Sequence, residues 1–357
     1  MKWNFCHKNM YINKMAVFFI VLGMFFIFST TKVYAAALSD PQPTQTFLKI
    51  FYFRDGTNAQ ASLFQHASSI DVLAPQSYSI DSSGSLAGGV SSSVLAFTEK
   101  NNIKVMPLVT NGDFSRSAAE AVLDDPSKED IAINALVAEA EQKGYWGWQM
   151  DFEGIDAVYK DKYSAFVKKM DVAMKAHNLI LSVAVVSQVS SNSSDYPTNY
   201  WNKIAGVYDY ATLASNTDFI SVMAYDDPES KGAIAPYSWI QQVLTYSLKY
   251  IPANKLSMGI PLYYWQWNDT SGKRVSIGGN VGIQKAMKMP HATLGYSTEM
   301  QAPFIKYTTK KIPYTLWYEN TKSLNEKINL IKQYSLNGFS AWMLGLEDPA
   351  VYPSLKF

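Results

Sequence analysis

Tyr145-Trp146-Gly147-Trp148-Gln149-Met150-Asp151-Phe152-Glu153 is the stretch on which the fold turns. Side chains alternate across a β-strand. Gln149, Asp151 and Glu153 therefore fall on one face, and Trp146, Trp148, Met150 and Phe152 on the other. The apolar face suits packing beneath helices. The polar face must then point into an enclosed space, where two bare carboxylates are costly to bury without a use. At a strand's C-terminal end they would share protons and perturb each other's ionisation. A solvated strand end would also account for the acids, and Asp-x-Glu alone is a weak motif. Four large apolar residues on the opposite parity favour the buried alternative.

Similar apolar runs recur on both sides, at 47–53, 70–78, 105–110, 179–186, 219–225, 256–263 and 339–344. Helical patterns separate most of them: residues 61–69, residues 94–100, and Tyr163, Phe166, Met170 and Met174 at spacings of three and four. Ser127-Lys128-Glu129-Asp130 resembles a capping box opening a helix that carries Ile133, Leu136, Val137 and Ala140. Eight strands with crossover helices give a parallel sheet, and eight is the count of a (β/α)8 TIM barrel. Residues from about 268 to 318 lack a clean period and read as a small α+β insertion between strands 7 and 8. An open doubly wound sheet is the alternative fold; no GxGxxG or GKS/GKT loop supports a nucleotide-binding version of it.

The N-terminus reads differently. Lys2, Lys8 and Lys14 precede an apolar run of 14 residues, 16–29, and Val33-Tyr34-Ala35 offers small residues at −3 and −1. This pattern predicts a signal peptide over 1–35, with an uncleaved membrane anchor as the rival. Residues 36–46 form a polar lead-in, and 47–357 the barrel. The expected product is secreted or held in the cell envelope, free of the membrane after cleavage, and monomeric. The single cysteine, Cys6, lies in the leader, so no disulfide or thiol chemistry is expected. A formal charge of +1 gives no footprint for nucleic acid. His66, His177 and His291 show no ligand spacing, so neither a metal nor another cofactor is expected. No G-x-S-x-G elbow supports a serine triad.

Two further segments carry chemistry. In Met223-Ala224-Tyr225-Asp226, Met223 and Tyr225 share a face, and a terminal Tyr hydroxyl could donate to a substrate oxygen; a core Tyr followed by a capping Asp is the alternative. Trp342 could floor a sugar site or be plain core.

Together these residues resemble the family 18 glycoside hydrolases, the chitinase family, whose strand-four signature is Asp-Gly-x-Asp-x-Asp-x-Glu. Gly147, Asp151 and Glu153 match it; Trp146 and Gln149 replace its first and second Asp. Met223-Ala224-Tyr225-Asp226, Trp342 and Gly259-Ile260-Pro261-Leu262-Tyr263 match its motifs on strands six, eight and seven. The resemblance covers 47–356, and is strongest to the bacterial spore-lytic and peptidoglycan-trimming N-acetylglucosaminidases. It implies a hydrolase that cleaves β-1,4 bonds in N-acetylglucosamine-containing polysaccharide or oligosaccharide. Such enzymes are exceptions to the two-carboxylate scheme: the substrate's 2-acetamido oxygen is the nucleophile. Carried over, Glu153 is the general acid and base, Asp151 receives the acetamide N–H, and Tyr225 donates to the acetamide oxygen. Asp226, Met223, Tyr263, Trp342 and Gln149 make up the sugar-binding set, with Gln149 donating to Asp151; a barrel-filling polar residue is the alternative for Gln149. An inactive sugar-binding protein and an endo-β-N-acetylglucosaminidase acting on N-glycans remain as alternatives.

Overall fold

The computed structural model describes residues 47–355; the leader and lead-in lie outside the described residues. Eight parallel strands close on themselves: Leu48–Phe53, Val72–Ile80, a third in two pieces, Gly147–Asp151, Ile180–Val186, Phe219–Met223, Leu256–Pro261 and Gly338–Trp342. The first pairs with both the second and the last, which closes the barrel. The third strand is split into Lys104–Val105 and Leu108–Thr110. Pro107, between the pieces, has no N–H to give to a ladder.

Alternation sorts the side chains into two cores. Outward residues such as Phe51, Leu73, Val109, Trp148, Met150 and Val183 pack under the helices. Ile50, Tyr52, Val72, Ala74, Met106, Leu108 and Phe219 fill the barrel interior. Above them lies a polar layer. Gln149 donates to Ser182 Oγ at 2.9 Å and Ser221 Oγ at 2.8 Å, and Ser340 Oγ contacts Ser221 at 2.8 Å and Ser257 at 2.7 Å.

Two local expectations are corrected. Trp146 does not join the outer face. It precedes the strand, stacks on Phe219 at 6.4 Å and packs on the interior cluster. Gly147 lies at this end of the strand, where a Cβ would meet Ile180 O at 1.9 Å. The helix expected to open at Ser127 spans Pro126–Lys143, with Asp125 as its cap accepting from Ser127 N at 2.9 Å. Pro126 at the first helical position is preset for that start.

After the seventh strand the chain builds a second, antiparallel sheet. Its strand order is Lys273–Gly278, Tyr264–Asn268, Ile312–Trp317, Ala302–Thr309 and Thr293–Ser297. Helix Asn280–Met287 covers it, over a small core of Tyr264, Ile283, Ala286, Ile305, Leu316 and Tyr318. Its first strand begins four residues ahead of the expected insertion.

Candidate active site

A cavity of about 350 Å³ opens at the C-terminal ends of the barrel strands. Asp151, Glu153, Met223, Tyr225, Asp226, Tyr263 and Trp342 all line it. These are seven of the eight residues singled out in the sequence. Gln149 is the exception. It is fully buried in the layer below, where its amide nitrogen donates to Ser182 on the adjacent strand and to Ser221 on the strand after that. The donor to Asp151 is instead Gln76, from the second strand.

Asp151 is 3% exposed, and burial pushes its carboxyl above the usual carboxylate range against the opposing hydrogen bonds from Gln76 and Glu153. Glu153 is pushed up further, first by burial, then by the negative charges of Asp151 and Asp226 and by its hydrogen bond with Asp151. The pair therefore holds a proton near neutral pH, with Glu153 as its principal carrier. Their titrations are linked, so the proton belongs to the pair.

The backbone of Glu153 is held in place by a side chain that the sequence reading passed over. Asn111, fully buried, accepts from Glu153 N at 2.9 Å and donates to Glu153 O at 2.9 Å and to Ser115 O at 3.0 Å. On the preceding residue, Tyr208 donates to Phe152 O at 2.8 Å. Asn111→Ala is expected to strip all three bonds and cost about 1–3 kcal/mol for each buried group left unsatisfied. Chemical denaturation would measure that loss, and kcat should fall with it because the acid is no longer positioned.

Tyr225 stands on the sixth strand's end, 9% exposed. Gly259 makes room for it: a Cβ there would come within 2.8 Å of the Tyr225 ring. Asp226 follows with φ of 61°, a left-handed conformation that Asp tolerates better than most residues. Its carboxylate accepts from Tyr263 OH at 2.5 Å, and the Tyr225 and Tyr263 rings meet edge to face at 6.4 Å. Trp342 leans on Tyr52, ring centroids 5.2 Å apart. The arrangement offers a proton donor, an adjacent carboxylate, a phenol and an indole around one space. That set can protonate a leaving oxygen and stabilise positive charge beside it.

Tyr52, Gln76 and Phe114 also line the cavity without having been singled out. Gln76 did carry a signal, as the one amide in the apolar run 70–78. No group of three or more His, Cys, Asp or Glu side chains suited to a metal ion occurs among the described residues. No helix among them is long and apolar enough to cross a membrane.

Comparison with known proteins places this geometry in context. The family model described as Glycosyl hydrolases family 18 matches residues 49–347. The chain is 26% identical over 318 residues to the uncharacterized glycosylase YvbX of Bacillus subtilis strain 168, covering 87% of this chain and 90% of that protein. It is 26% identical over 302 residues to the cortical fragment-lytic enzyme of the same organism, covering 82% of this chain and 68% of that enzyme. A chitinase from Chromobacterium violaceum ATCC 12472 shares the fold, with a TM-score of 0.77 at 24% identity over 87% of this chain and 98% of that one.

Proposed function

Because the chain belongs to glycosyl hydrolases family 18, whose members act on N-acetylglucosamine-containing glycans, we propose that this glycosyl hydrolase cleaves β-1,4 bonds in chitin-type or peptidoglycan-type chains by substrate-assisted, retaining catalysis. One observation carries the reading: Asp151 and Glu153 project from one strand into a single cavity with Tyr225 and Trp342, and both have raised carboxyl pKa values. Glu153, protonated, gives its proton to the glycosidic oxygen. The 2-acetamido oxygen attacks the anomeric carbon from the other side and the leaving group departs, forming an oxazolinium ion. Asp151 accepts from the acetamide N–H and balances the developing positive charge. Tyr225 donates to the acetamide oxygen and aims it. Trp342 packs against the acetamide and ring. Glu153, now ionised, takes a proton from the water that opens the oxazolinium and restores the β-configuration.

An intact Glu153 supports an enzyme over an inactive sugar-binding protein. The N-terminal basic and apolar pattern supports export, with the protein acting outside the cytoplasm as a monomer. The reading is tested by incubating the protein with chitin oligomers, purified glycan strands of peptidoglycan and a purified N-glycan. Cleavage of either of the first two is the expected result. Cleavage of the N-glycan alone would move the assignment to an endo-β-N-acetylglucosaminidase, and cleavage of none would remove the hydrolase reading.

A further inference from the structure

Past Asp226 the catalytic cavity adjoins a second one of about 580 Å³; Asp226 lines both. One wall is the insertion hairpin formed by Tyr264–Asn268 and Lys273–Gly278, and the other is the loop after the sixth strand, with Asp227, Ser230 and Lys231. The hairpin contains a bulge. Trp265 pairs with Ile277 and Gln266 with Ser276, but Trp267 then pairs with Arg274. Val275 is the extra residue and is half exposed. In a regular ladder Trp267 would face Val275, and Arg274 would lie on the opposite face. The bulge thus sets an arginine, in place of a valine, on the face whose Ile277 borders the catalytic cavity.

The arginine is held for use. Its guanidinium carbon lies 4.2 Å from the Trp265 ring centroid, a cation–π contact that holds the charged head over the indole. Trp267 Nε1 donates to Gly232 O at 2.8 Å, anchoring the hairpin to the loop that carries Lys231. Lys231 and Lys273 join Arg274 around the same space. Among the described residues none of these three cations takes part in an ion pair. The two acids in the wall have hydrogen-bond partners: Asp226 accepts from Tyr263, and Asp227 accepts from Glu229 N at 3.0 Å; the Arg274 charge favours the ionised form of Asp226 without forming an ion pair with it.

We propose that this cavity is a carboxylate-binding subsite, which selects glycans whose sugars beside the cleaved bond carry an acidic substituent. The chemistry it fits is an N-acetylglucosamine polymer in which alternate sugars bear a lactyl ether, its carboxyl free or extended by a peptide that ends in carboxylates. Arg274 would take the carboxylate through its planar fork, with the two lysines adding charge. A neutral chitin chain presents no charge to these cations, only hydroxyl and acetamide oxygens that accept weaker, neutral hydrogen bonds. The inference rests on the hydrolase reading above and narrows its substrate.

The test compares kcat/KM on a lactyl-bearing peptidoglycan tetrasaccharide with kcat/KM on chitin tetrasaccharide. Wild type, Arg274→Gln and the double variant Lys231→Gln/Lys273→Gln are measured at low and at physiological salt. The expected result is a fall of about tenfold or more in the acidic-to-neutral ratio for each variant, mainly through KM. Salt should compress the wild-type ratio. The double variant changes only exposed side chains, so its reading does not depend on a repacked Trp265. Glycans with and without the peptide separate the carboxylate sources, because the stripped form carries only the lactyl carboxylate and the peptide-bearing form, whose lactyl carboxyl is an amide, only those of the peptide; whichever form shows the preference names the source, and either supports the subsite. Ratios within twofold of wild type in both variants would overturn it. Calorimetric binding of the same glycans to Glu153→Gln, with and without Arg274→Gln, separates the two levels. Selective loss of acidic-glycan affinity supports the subsite even if turnover fails the hydrolase reading, and equal affinities overturn it even if turnover succeeds.

Discussion

Glu153→Gln is expected to lower kcat by about 10²–10⁴-fold while leaving glycan binding nearly intact. The amide keeps the shape of the side chain and cannot deliver a proton. The same variant carries a stability signature of opposite sign. Glu153 holds its proton more tightly in the fold than in the unfolded chain. Its contribution to stability is therefore complete below the ordinary carboxylate range and is lost as pH rises through the raised folded value. Gln has no such loss. Thermal melts should show Glu153→Gln gaining on wild type as pH rises from acidic to alkaline, with little difference in acid. Wild-type turnover in this variant would remove Glu153 from the mechanism, and a stability gain confined to acid would contradict its raised pKa.

Asp151→Asn is the second large effect. Removing a preorganised charge that stabilises the transition state typically costs about 10²–10³-fold in kcat. The direction of the pH shift separates this role from simple packing. The charge on Asp151 is second only to burial among the causes that raise Glu153. With Asn in its place the like-charge penalty disappears, so Glu153 ionises at lower pH. The alkaline limb of the kcat/KM profile, which reports loss of the acid's proton, should move to lower pH. A limb that stays put, or moves up, would mean that Asp151 does not face Glu153 as described.

Much of this site was legible because it obeys short-range rules. The alternation in 147–153 sorted Trp148, Met150 and Phe152 outward and Gln149, Asp151 and Glu153 inward. The barrel followed from counting such runs. What escaped the sequence depends on irregularity or on partners distant along the chain. The second strand shifts register between Gln76 and Tyr78. Tyr78 turns to the outer core, where its ring meets Trp148 at 4.9 Å, and Gln76 is left inside against Asp151. Strict alternation would have placed both on one face. The resemblance pairs Gln149 with Asp151, because the family carries a second Asp at that position, whereas the serines it bonds, Ser182 and Ser221, come close only when the barrel closes. Asn111 lies 42 positions from Glu153, and its two bonds to that backbone are invisible to any local pattern. The bulge that sets Arg274 beside the catalytic cavity is likewise a property of paired strands.

The central claim is that the substrate supplies its own nucleophile while Glu153 and Asp151 manage the proton and the charge. A series of otherwise identical oligosaccharides tests it most directly, with the 2-acetamido group replaced by mono-, di- and trifluoroacetamido groups. Each fluorine withdraws electrons from the carbonyl oxygen and weakens it as a nucleophile while barely changing its size. The account predicts that log kcat/KM falls steeply and progressively along the series. A flat series, with the trifluoro compound cleaved as fast as the parent, would contradict it, because the attacking atom would then have to come from the protein or from water.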